Sequence, residues 1–109
     1  MDDFRLLGKL KGGNMFTLQK QTDGSIGFTK VSGHKIKIEG FKDFNFFYYK
    51  TKDKFFVIEE RSGQSIASTY RLKDAKWQAK DRLESHGKED FMKSINKAVE
   101  TNGLPPGID

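Results

Sequence analysis

The sequence predicts an α+β domain: an antiparallel sheet of five to six strands, followed by two C-terminal helices packed on one face. Three observations carry this expectation. Glycines fall at short intervals through the first 63 residues, at Gly8, Gly12, Gly13, Gly24, Gly27, Gly33, Gly40 and Gly63. The runs between them are short and largely alternate apolar with polar residues, the period of a half-buried strand. After Tyr70 the apolar period lengthens to about 3.6 residues, that of an amphipathic helix. Strands first and helices last place the helices together on one side of the sheet.

The elements follow in order. Residues 6–11 read as a strand entering a Gly12-Gly13-Asn14 turn, or as a short helix capped by Asp2 or Asp3. Residues 15–20 form a strand with Phe16 and Leu18 on one face and Thr17 and Gln19 on the other. Asp23-Gly24 is the strongest hairpin signal in the chain, because this dipeptide supplies the positive φ angles that tight hairpin turns need. Residues 26–31 return, and Ser32-Gly33-His34 is read as the next turn. In residues 35–39 the isoleucines Ile36 and Ile38 alternate with Lys35, Lys37 and Glu39. Residues 44–49 are apolar on both faces, as in a strand covered on both sides, or covered on one side and used for contact on the other. Residues 55–60 and 65–70 supply two further strands.

The helical stripe runs through Leu72, Ala75, Ala79, Leu83 and His86, with Trp77 to one side of it. Gly87 is expected to end that helix. A second helix carries Phe91, Ile95, Ala98 and Val99 inward, with Glu89 and Asp90 in its first turn, where the helix dipole favours negative charge. Gly103 and Pro105-Pro106 stop it. Residues 1–104 are read as one domain and residues 105–109 as a flexible tail.

A chain of 109 residues suits a single domain with one modest core. Hydrophobic residues are sparse at 35%, but ten phenylalanines can supply core volume, since each ring buries roughly 150–250 Å². Cysteine is absent, which excludes disulfides, thiolate metal sites and thiol nucleophiles. No signal peptide or membrane-spanning run is evident, so a cytoplasmic location is expected. The net charge is +5, and all of the excess lies in the first half: residues 1–54 hold eleven Lys/Arg against six Asp/Glu, whereas residues 55–109 hold nine of each.

Catalytic patterns do not emerge. His34 and His86 lack a second ligand at helical or hairpin spacing, so no metal is expected. The adjacent carboxylates Glu59 and Glu60 end a strand and point to opposite faces. No serine sits in a nucleophile-elbow pattern, and the glycines near residues 8–13 run into a strand, which is the wrong context for a phosphate loop. No cofactor is expected, and the chain reads as a non-enzymatic binding protein. Its basic residues are interleaved with rings, and the expected partner-contacting residues are Lys30, Lys35, Lys37, Lys42, Phe47, Tyr49 and Lys52. That composition suits a protein interface, with rings as anchors and charges as rim. It also suits a nucleic-acid-binding sheet face, where rings stack on bases and lysines track phosphates. A solvated basic face over a Phe-rich core is the third reading. Either a monomer or a homodimer is compatible with an aromatic-rich sheet.

Residues 55–106 resemble a module of short accessory proteins from phages, plasmids and integrative elements of Gram-positive bacteria. The resemblance rests on Phe56-Val57-Ile58-Glu59, on Ser62-Gly63-Gln64-Ser65-Ile66-Ala67, on Lys73-Asp74-Ala75 and on Gly103-Leu104-Pro105. It implies a mobile-element accessory role, similar to that of anti-CRISPR inhibitors of type II effector nucleases. The partner it implies is the nuclease itself, or its guide-RNA complex. A basic chain disfavours mimicry of DNA.

Overall fold

The structure, a computed structural model, describes residues 13–108. Five strands precede one helix: β1 (Gly13–Lys20), β2 (Ile26–Ile36), β3 (Phe46–Lys50), β4 (Phe55–Glu59), β5 (Ser65–Thr69) and α1 (Leu72–Asn102). The element expected at residues 6–11 lies outside the described residues. Each strand pairs antiparallel with its neighbour in sequence, giving the sheet order β1-β2-β3-β4-β5. The α+β class is therefore as the residue periods indicated.

The Asp-Gly hairpin forms where expected. Gly24 takes φ 89°, Gln21 N–H donates to the Ser25 carbonyl at 2.7 Å, and Asp23 Oδ1 accepts from the Ser25 amide and hydroxyl at 3.0 and 2.6 Å. The turn expected at Ser32-Gly33-His34 does not form. Instead β2 runs straight through these residues for 11 positions, pairing with β1 up to Gly33 and with β3 from His34 onward. The strand expected over residues 35–39 is thus the end of β2. Gly33 is needed for space here, not for turning: a Cβ on it would lie 2.7 Å from both Met15 Sδ and Phe47 Cδ1.

That close approach marks how the sheet curls. Beyond Gly33 the β1–β2 hairpin folds back over β3 and β4, and Met15 and Val31 pack on Phe47, Tyr49 and Ile58. The curl closes through the β4–β5 turn, where the Gly63 carbonyl accepts from the Leu18 amide at 2.8 Å and from the Thr17 hydroxyl at 3.1 Å. Thr17 is consequently buried, while Phe16 and Leu18 on the other face are half-buried. The buried Glu59 carboxylate holds this turn by accepting the Arg61 and Ser62 amides at 2.9 and 2.8 Å. A buried carboxylate is tolerated when donors of this kind meet it.

The opposite face of the sheet carries the larger cluster. Phe46 and Val57 meet Ala75, Ala79, Leu83, Phe91 and Ile95 of α1, with Ile38, Phe41 and Phe44 of the β2–β3 connection closing one side. Phe91 stands edge-on to Phe44, with centroids 4.9 Å apart. Full burial of a side chain of this size contributes about 1.5–3 kcal/mol. Small alanines at 75 and 79 let the first half of α1 sit close to the sheet, whereas the large Phe91 and Ile95 fill the space beneath its second half.

Two helices were expected; the structure has one helical element of 31 residues. The chain leaves helical angles only at Gly87 (φ 82°, ψ 156°) and resumes at once. A single glycine at positive φ makes the bend, so no connecting turn intervenes. Residues 105–108 follow the helix, with Pro106 and Gly107 exposed. Pro105 is buried, and the segment lines a recess with Asn14, Lys35 and Glu60.

β5 is an edge strand whose outward groups are met by α1. The Ser68 amide donates to Gln78 Oε1 at 3.1 Å, and the Ile66 carbonyl accepts from Arg82 Nη1 at 2.8 Å. Gln78 and Arg82 are four residues apart, so they share one helix side. The outward groups they meet are two residues apart, as strand alternation requires.

Candidate functional site

The expected contact residues do not converge. Phe47 and Tyr49 are only 1% and 7% exposed, and the curl of the sheet encloses both rings. They are core residues and offer no surface to a partner. Phe47 packs beneath Gly33, while Tyr49 stacks on Phe56 with centroids 5.1 Å apart and accepts from Gln19 Nε2 at 3.3 Å. The lysines Lys30, Lys35, Lys37, Lys42 and Lys52 are all exposed but are dispersed. Lys30 and Lys35 fall on opposite faces of β2 by alternation. Lys35 faces the recess that holds the C-terminal residues. Lys52 lies in the β3–β4 turn, and Lys42 lies in the β2–β3 connection.

Lys37 leads to a site the residue pattern only brushed against. It lines a shallow hollow with Ile38, Glu39, Lys76, Trp77 and Lys80. A second hollow on the other side of Trp77 is lined by Leu72, Lys73, Asp74 and Lys76. Trp77 is 70% exposed. It projects from α1 away from the alanines that face the sheet, so four lysines and two carboxylates surround one large exposed indole. The available signal was the position of Trp77 off the apolar stripe: helix geometry points it away from the core.

The hollow beside Lys37 is braced. Lys80 donates to Glu39 Oε1 at 3.1 Å, and Lys88 donates to Asp43 Oδ2 at 3.4 Å while lying 6.0 Å over the Phe41 ring. These contacts pin the β2–β3 connection to α1. Lys80, first by its hydrogen bond and then by its charge, holds the Glu39 carboxyl below the ordinary carboxylate value, and Glu39 raises the Lys80 ammonium in return. Glu39 is thus a charged rim group throughout the neutral range.

A cleft of about 290 Å³ lies between β5 and α1 beside the Gly87 bend, with Arg82, His86, Asp90 and Ser94 among its lining. Its arginine is engaged with the Ile66 carbonyl, so it serves the edge strand. Among the described residues no group of three or more His, Asp or Glu side chains is placed to hold a metal ion, and no helix is long and apolar enough to cross a membrane. No protein-family model, curated protein or solved structure matches the chain.

Proposed function

We propose that this chain is a non-catalytic binding protein that docks on an acidic face of another protein through the Trp77 surface. The observation that carries the reading is an indole 70% exposed on a braced helix, with Lys37, Lys73, Lys76 and Lys80 around it. Tryptophan is among the residues that dominate binding energy when a partner buries it, and a charged rim steers approach and sets orientation. A helix seated on the sheet through Ala75, Ala79 and Leu83 presents the ring with little ordering left to do on binding.

The resemblance of residues 55–106 to mobile-element accessory proteins supplies the partner class: a type II CRISPR effector nuclease, which the chain would inhibit inside the cell by occupying its surface. The test mixes purified chain with the guide-loaded nuclease and reads both co-elution and DNA cleavage. The expected result is a stable complex with cleavage suppressed. Trp77→Ala is expected to weaken it about 30-fold, the effect of a strong hot spot. Unimpaired cleavage, with no protein partner recovered from cells expressing the chain, would overturn the reading.

A further inference from the structure

Three rings that neither core cluster fully encloses lie in a row across the sheet. His34 of β2 is the cross-strand partner of Tyr48 of β3. Their rings stack, with centroids 5.1 Å apart and planes 21° from parallel. Tyr48 lies 6.2 Å from Phe55 of β4, and Lys50 Nζ sits 5.4 Å over the Phe55 ring. His34 and Lys50 are exposed, while Tyr48 and Phe55 are half-buried, with their inner sides on the helix-bearing cluster. This row is separate from the enclosed pair Phe47 and Tyr49, which point to the other face.

Charge on the strands of this face is one-sided. The pairing registers put Lys20, Lys30 and Lys50 on the same side of the sheet as the row. Among the five described strands the sole carboxylate is Glu59, and it is 2% exposed and bound to two backbone amides. The strands therefore offer a partner rings and ammonium groups but no exposed carboxylate.

We propose that the His34–Tyr48–Phe55 row binds single-stranded nucleic acid, with bases stacking on the rings and Lys30 and Lys50 contacting phosphates. Stacking tolerates any base because each has a π-face, and lysine meets phosphate as a point charge without needing a fixed fork. The rings sit in the sheet surface, half sunk among neighbours, so paired bases inside a duplex cannot reach them; the strand must be single. This proposal stands independently of the Trp77 surface.

The experiment is fluorescence anisotropy with end-labelled oligouridine and oligothymidine, against a duplex of equal length, over a range of salt concentrations. Single strands are expected to bind and the duplex to bind much less. His34→Ala is expected to weaken binding about tenfold, as loss of one stacking contact does. Lys30→Gln and Lys50→Gln are each expected to reduce the slope of log affinity against log salt by about 0.7. Trp77→Ala is expected to leave all three readings unchanged. Absence of binding at low salt by folded protein would overturn the proposal. So would equal affinity for duplex, an unaltered affinity in His34→Ala together with an unaltered salt slope in Lys50→Gln, or preference for an acidic polypeptide over the oligonucleotides.

Discussion

The two sides of the sheet are filled by different means. On one side, α1 lays a stripe of alanines, then Leu83, Phe91 and Ile95, against Phe46 and Val57. On the other side, no helix lies among the described residues, and Phe47, Tyr49 and Ile58 are enclosed because the sheet bends until its own first hairpin covers them. The first cluster depends on a local period that any amphipathic helix would supply. The second depends on one backbone position, Gly33, being thin enough for Met15 and Phe47 to meet across it. A core built from a helix tolerates change by sliding; one built from a curl is tied to a few close approaches.

The largest expected effect tests whether the curl is a true core. Phe47→Ala should cost about 3–5 kcal/mol of unfolding free energy, read by urea denaturation, matching large-to-small changes at fully buried rings. Leu83→Ala on the helix side should cost about 2–5 kcal/mol, and the double variant should be additive within about 0.5 kcal/mol if the sheet separates the two clusters. Gly33→Ala comes next: about 1–3 kcal/mol from overpacking, with the methyl signal of Met15 and the ring signals of Phe47 shifted and those of Leu83 unmoved. Glu59→Ala should cost about 1.5 kcal/mol by leaving the buried Ser62 amide and the half-buried Arg61 amide without an acceptor. It should also speed exchange of the Leu18 amide, because the turn that presents the Gly63 carbonyl loosens.

The smallest effect concerns the rim. Glu39 titrates below its ordinary value because of Lys80, so its favourable contribution is present above that ordinary value and fades as pH falls through the lowered one. Lys80→Ala should move the Glu39 titration upward, as followed by carboxyl chemical shifts. Both groups are solvent-exposed, so overall stability should barely change.

These two sides also divide what was legible in the sequence from what was not. The helix stripe, the Asp23-Gly24 hairpin and the succession of antiparallel strands followed by helix follow from spacing alone. The bend at Gly87 was legible as a break, yet a lone glycine marks equally a stop and a kink, and only the residues packed beneath decide. Gly33 looked like a turn because a glycine between Ser32 and His34 satisfies the local rule; its actual reason is a contact with residues 18 positions earlier and 14 later. A strand apolar on both faces is compatible with either a core or a contact role for Phe47 and Tyr49. Their burial is decided by where the first hairpin lands, which no short window contains. Among the lysines, strand parity separates Lys30 from Lys35, and Lys37 gains its setting from a helix 40 residues away. Trp77 was visible as an oddity of the helical stripe, but its lysine surroundings come from two distant segments.

The hydrogen bonds from Gln78 and Arg82 to β5 give α1 a second duty besides covering the sheet. A chain cut after Tyr70 would lose both guards at once, baring the Ser68 amide and the Ile66 carbonyl along a strand that has no neighbour on that side. Such a fragment would recruit other copies of itself, strand against strand, so its fate would be ordered clumping in place of a smaller working protein. Loss of the helix therefore exposes the edge of the sheet as well as its core face.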